Sequence, residues 1–226
     1  MISHEYKCIF IHIPKNAGTS IESALGHLEG HEGRDGQDHR PLRHIEQPVF
    51  QKAAFSNAKN WREVWRRLRG RMKSQKNHRN RYSVSREQYK SYYKFSIVRN
   101  PWSRAFSWYN NVMNDPVHKK NLQVPDNQPF EEFLKVYAGK GYLRPQTYWL
   151  KNFEGDIDLD YIGKFENLAG DFRKICKNLG AGDIQLPHKL KSHNPDYRDY
   201  YDEDLTNLIA GIYSEEIELF DYIFES

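Results

Sequence analysis

Covalent cross-links have little material here. The 226 residues include only two cysteines, Cys8 and Cys176, and both sit in apolar contexts, CIFIHI and ICKNL. Such thiols are expected to be buried in a reducing compartment rather than paired in a disulfide framework. Long apolar runs are missing as well: no stretch approaches the ~18 residues of a membrane span. The start MISHEYK lacks an apolar segment leading to a small-residue cleavage site. A soluble cytoplasmic protein is therefore predicted. Apolar residues make up only 38% of the chain and the mean hydropathy is −0.89. A core is still expected, because the buried fraction of surface rises with chain length. Aromatics, at 14%, can fill it and can also present flat surfaces to a base or sugar. The length suits one domain covering residues 1–226.

Negative charge is scarce in one region. Between Lys59 and Lys94 only Glu63 and Glu87 oppose thirteen lysines and arginines, whereas Asp199–Asp204 and Glu215–Glu218 are acidic. The net charge of +4 conceals this asymmetry. It suits an anionic ligand, substrate or surface near the basic segment, or equally a solvated basic helix.

Several catalytic signatures are missing. No Walker A loop is present, since that motif places Lys directly before the Mg²⁺-binding hydroxyl; here Lys15 precedes Thr19 by four residues. The strand that would supply the magnesium-binding Asp of such an enzyme ends in Arg99 instead. His27 and His31 are four apart but are separated by glycine, not held on an H-E-x-x-H helix, so no metal site is expected. No G-x-S-x-G appears.

What the chain does have is a pair of strand–loop–helix units. Residues 7–13 (KCIFIHI) read as a short buried strand, followed by the loop PKNAGTS and a helix that Thr19 or Ser20 can cap. Residues 93–98 (YKFSIV) form a second strand, followed by RNPWSRAFSWYNNVM, with Pro101 suited to a first helical turn. A third strand is read at residues 161–165, with a helix after it ending at Gly180. Residues 60–73 read as a basic amphipathic helix broken near Gly70, residues 114–128 as a surface loop, and the last helix as one piece through DEDLTNLIAGIYSEEIELF. This order predicts an α/β protein: a three-layer, P-loop-like fold with a central parallel sheet flanked by helices. Both loops then lie at the carboxyl ends of strands, where such folds bind ligands.

The chemistry of the two loops follows from their residue types. Gly18 permits close backbone approach, successive N–H groups at a helix start favour phosphate-like oxygens, Lys15 adds a cation, and Thr19 and Ser20 add hydroxyls. Arg99 leaves the second strand as a planar fork suited to a phosphate. A bend at Pro101 could return Ser107, two turns onward, toward the same anion.

Together, IFIHIPKNAGTSIESAL and FSIVRNPWSRAFSWY resemble the two donor-binding elements of sulfotransferases that use 3′-phosphoadenosine 5′-phosphosulfate (PAPS), particularly the carbohydrate-type families. RPQTYWL, YIGKFENLAGDF and ELFDYIF are similar in order and spacing. The resemblance implies Lys15, Asn16, Ala17, Gly18, Thr19 and Ser20 around the 5′-phosphosulfate, and Arg99 with Ser107 on the 3′-phosphate. Asn16 departs from the pattern, since many relatives carry Thr there. A closing loop, LPHKLKSHN, would bring Lys189, Lys191 and Ser192 to phosphate. PAPS is the implied donor, adenosine 3′,5′-bisphosphate the product, and no metal is implied.

Lys15 is the residue expected to stabilise the leaving phosphate. The acceptor must also lose a proton, and histidine suits that task. Candidates are His27, His31, His39 and His44; DHRPLRHIEQ resembles a family segment that places His39 first, with His44, Glu22 and Asp38 remaining open. His12 reads as a packed core residue. The acceptor is expected to be a carbohydrate, a glycolipid or another hydroxyl-bearing molecule, less readily an amine; it could be anionic, and peripheral contact with a membrane surface would suit the basic segment. Two other classes compete: a P-loop nucleotide kinase-like phosphotransferase, and a non-catalytic nucleic-acid-binding protein marked by steep salt dependence.

Overall fold

The computed structural model describes residues 1–33, 35–187 and 195–224. Its backbone divides into two compact units. One comprises Met1–Ile13, Ala17–Val98 and Thr147–Lys189, the other Pro14–Asn16, Arg99–Gln146 and Leu190–Ser226, each as far as its residues are described.

The first unit carries the sheet, in the order β1 (Ile2–Ser3), β2 (Cys8–Ile11), β3 (Tyr93–Val98) and β4 (Tyr161–Lys164). β1 runs antiparallel to β2, with Ile2 opposite Ile9. β2 and β3 are parallel, with Phe10 opposite Phe95, and β4 continues parallel to β3, with Ile97 opposite Gly163. Every residue of β2 is buried, as a strand covered on both faces requires. Cys8, Phe10, Phe95 and Ile97 pack with Ile21 and Leu25 after the first loop, and with Phe172, Ile175 and Cys176 from the Leu168–Leu179 helix. The stacked rings of Phe10 and Phe95, 5.0 Å apart, fill the middle of this core. The α/β class and the mostly parallel central sheet are as expected; β1, only two residues long, was not foreseen.

The second unit is helical among its described residues. The Pro101–Met113 helix opens on Asn100, whose side chain accepts from Trp102 and Ser103 N–H, with Pro101 in the first turn. Phe106 and Tyr109 on this helix pack against Phe130 of the Phe130–Tyr137 helix. Two expectations are corrected here. Residues 116–122 form a helix, capped by Asp115 with Pro116 behind it; this is a standard start signal hidden in a polar stretch. The C-terminal helix is two pieces, Glu203–Ile212 and Ser214–Leu219. Tyr213 interrupts them; its buried hydroxyl accepts from Gly139 N–H and donates to the Leu143 carbonyl. Among the described residues no helix is long and apolar enough to cross a membrane.

Candidate active site

The loop after β2 is backbone-strained. Lys15 has φ 71° and Ala17 φ 61°, the left-handed region that non-glycine residues enter at a cost of roughly 1–3 kcal/mol each. Such turns gather successive N–H groups into a concavity that suits anions. Ala17, not Thr19 or Ser20, occupies the helix-capping position, and the helix starts at Gly18. Thr19 is exposed and Ser20 buried within its first turn.

Polar groups of the second unit hold Pro14–Asn16 in place. The fully buried Arg104 donates to the carbonyls of Pro14 (3.2 Å), Tyr142 (2.6 Å) and Arg144 (3.0 Å). Gln146, also fully buried, is the central node. Its Oε1 accepts from Asn16 Nδ2 (2.6 Å) and from Arg99 N–H (2.9 Å). Its Nε2 donates to the Arg99 carbonyl and to Glu216, and its own N–H bonds the other Glu216 oxygen. The Asn16 side chain is therefore a structural tie rather than a lost hydroxyl donor.

Two cations come together on this scaffold. Lys15 Nζ donates to Asn111 Oδ1 (2.6 Å), and Arg99 Nη1 donates to the Lys15 carbonyl (3.1 Å). Among the described residues no carboxylate pairs with Lys15. Burial, and then the neighbouring Arg99 charge, lower the Lys15 pKa to about 8. An ammonium pushed toward neutrality by burial and by a second cation is one that a bound anion would restore.

Ser103 bonds Arg99: its hydroxyl accepts from Nε (3.0 Å) and Nη2 (2.8 Å). The helix runs without interruption from Pro101 to Met113, with the proline in its first turn. Ser107 stays one turn beyond Ser103 and one turn before Asn111, so all three share one helix face. Sequence reasoning missed Ser103, Arg104, Asn111, Gln146 and Glu216. The four-residue spacing Ser103, Ser107, Asn111 was the available signal for two of them; the others act through tertiary bonds with no local signature. Lys189, Lys191 and Ser192 lie outside the described residues.

The first unit has its own cluster. The His12 ring lies against Gly18, where an added Cβ would sit 2.0 Å from it; the absent side chain at Gly18 is thus required by packing as well as by any ligand. His12 Nδ1 is 3.2 Å from Glu22 Oε1, and Glu22 is fully buried. Among the described residues, the second carboxyl oxygen of Glu22 has no hydrogen-bond partner. Burial raises its pKa, against the opposing pull of nearby cations. The His39 and His12 rings are 4.2 Å apart, and His39 Nδ1 is 3.4 Å from the His12 carbonyl. Burial and His12 depress His39 to about 3, with Glu22 opposing. His39 is therefore neutral at physiological pH, and the Glu22 carboxylate and the hydrogen bond to the His12 backbone favour its protonated form. Asp38 also opposes the shift; despite its burial it is held well below the usual carboxylate range, chiefly by the bidentate Arg40.

The other candidate bases are engaged elsewhere. His44 Nε2 is 3.1 Å from Glu63 Oε2, His27 Nε2 bonds Asn80 at 2.8 Å, and His31 packs on His78. Among the described residues no cluster of three or more His, Cys, Asp or Glu could hold a metal.

Comparison with known proteins bears directly on this arrangement. A protein of Archaeoglobus fulgidus, described as an uncharacterized protein, is 32% identical over 114 residues, which are 49% of this chain and 82% of that protein. No solved structure matches. The model of the sulfotransferase family matches residues 1–223. That match runs through both cation-bearing loops and nearly the whole chain, and so the protein belongs to the sulfotransferase family, of the carbohydrate type, and is a transferase of sulfuryl groups.

Proposed function

We propose that residues 1–226 act as one sulfotransferase domain that takes its sulfuryl group from PAPS. In this reading the continuous segment Lys15–Ser20 holds the 5′-phosphosulfate, and Arg99 holds the 3′-phosphate with Ser107, Ser103 standing beside the guanidinium. The acceptor is a hydroxyl of a carbohydrate or glycolipid. Its oxygen attacks sulfur in line, the bond between sulfur and the bridging phosphate oxygen breaks, and adenosine 3′,5′-bisphosphate leaves with the electron pair. The Lys15 ammonium meets the charge that grows on that oxygen, a contact stronger in the transition state than in the ground state. The acceptor proton passes to His39, whose cationic form Glu22 stabilises.

The observation that carries this reading is the Lys15–Arg99 pair. The two cations are tied together by the 3.1 Å bond to the Lys15 carbonyl, and Lys15 is held by the neutral Asn111. A bound anion favours the charged form of a partly desolvated lysine that has a second cation beside it.

Titration with adenosine 3′,5′-bisphosphate, with and without Mg²⁺, followed by transfer from ³⁵S-labelled PAPS to a panel of polysaccharides, glycolipids and small alcohols, tests the proposal. Binding independent of Mg²⁺ and label on one acceptor class are expected. Binding of ATP only with Mg²⁺, and none of the bisphosphate, would contradict the donor assignment.

A further inference from the structure

The Ala58–Met72 helix runs through Gly70 without the expected break and is oriented against its own amphipathic pattern. Its inward side is polar. Asn60 Nδ2 donates to the carbonyls of Ala53 (2.7 Å) and Phe153 (2.8 Å), and Arg67 Nη1 donates to those of Arg43 (3.1 Å) and Glu46 (2.8 Å). Glu63 is buried too, 3.1 Å from His44. Of the apolar residues, Val64 joins Ala54 and Phe153 in a small core, with Leu68 packed at its edge.

The large apolar side chains face out. Trp61 is 56% exposed, Trp65 62% and Met72 84%. At 3.6 residues per turn these three fall within about 40° of arc, a single stripe along the helix. The preceding turn extends the stripe: the Phe55 ring meets Trp61 edge-on at 5.0 Å, and the exposed Phe50 stacks on Phe55 at 6.1 Å.

Within the segment itself only one sign of charge is exposed. Lys52, Lys59, Arg62, Arg69, Arg71 and Lys73 are all exposed, and the one acid between residues 48 and 73 is the buried Glu63. A soluble polyanion would answer the cations but gains nothing from a protruding methionine and an aromatic ridge. A neutral protein surface would cover the ridge but leave the cations unanswered. An anionic lipid interface matches both, since aromatic and aliphatic side chains settle at headgroup level while Lys and Arg meet lipid phosphates.

We propose that the Phe50–Lys73 segment docks on an anionic membrane surface. The helix lies in the plane of the interface, its apolar stripe enters the headgroup region, and the flanking cations contact the lipid charge. Docking of this kind needs no donor nucleotide.

The test is co-sedimentation of the full chain with vesicles of phosphatidylcholine alone or mixed with phosphatidylserine. Binding is expected only to the mixed vesicles and is expected to weaken as salt is raised. Replacing Trp61 and Trp65 together by Ala is expected to lower partitioning about tenfold or more. Replacing Arg62 and Arg69 together by Gln is expected to lower it about 25-fold, from ~5-fold per charge. All four side chains are exposed, and circular dichroism checks that the variants fold. Absence of binding to the mixed vesicles overturns the proposal, as does binding that the tryptophan substitutions leave unchanged. Retention on soluble heparin without any vesicle binding also overturns it, and would assign the face to a polyanionic glycan. None of these outcomes bears on the donor site.

Discussion

Two cationic regions of this protein look alike in sequence and differ in physics. The Ala58–Met72 helix carries many charges, most of them exposed. The Lys15–Arg99 pair has two, half-buried, with Lys15 donating to Asn111 and Arg99 to the Lys15 carbonyl. Exposed charges are screened within about 10 Å at ordinary ionic strength, so the helix acts as a diffuse surface. In the reading proposed above, the half-buried pair is instead a specific seat, where one bound anion relieves desolvation and mutual repulsion. Under that proposal, charge density along the chain points away from the chemistry, and burial points toward it.

Substitutions can break this contrast. The largest effect is expected for Lys15→Ala, a fall of about 10²–10³ in turnover with circular dichroism unchanged; a folded variant of normal activity removes Lys15 from the mechanism. Next is Arg99→Ala, expected to weaken adenosine 3′,5′-bisphosphate by roughly 10–100-fold. An analogue lacking the 3′-phosphate should lose much less, and equal losses by calorimetry contradict the assignment.

A pH series sharpens the comparison further. The Lys15 pKa is lowered to about 8 by burial and by Arg99. Its positive charge is complete below that value and is lost as pH rises through it. Affinity of the free protein for the bisphosphate should accordingly fall above pH ~8, by at most tenfold per unit. Lys15→Arg should flatten the curve. The smallest effect is expected on the exposed helix. Arg62→Gln with Arg69→Gln should change stability by no more than about 0.5 kcal/mol per site and leave bisphosphate affinity as it is, read by thermal melting and calorimetry. A marked loss would show that the basic face belongs to the donor site after all.

The sheet was legible because its signals are local. KCIFIHI and YKFSIV are runs of β-branched and aromatic residues closed by Pro14 and by Arg99-Asn100-Pro101, and β3 lies where it was expected while β2 is trimmed to Cys8–Ile11. The Pro116–Leu122 helix was written as plainly, in Asp115 and Pro116, but was lost among polar residues. The break at Tyr213 had no such signal, since a hydroxyl bonding Gly139 and Leu143 across some seventy residues leaves no trace beside it.

Residue types and their order along the chain determined the α/β class, the two cation-bearing loops and the family. Those depend on periodicity, turn residues and motif spacing, all of which act over a few positions. Tertiary structure alone decided that Gln146 ties Asn16 to Arg99, that Ser103 meets the guanidinium, that Glu22 is buried beside His12, and that the tryptophans of a basic helix face outward. Each of these is a matter of which polar group loses water and which partner replaces it. That exchange is settled by groups distant in sequence, so no local window contains it.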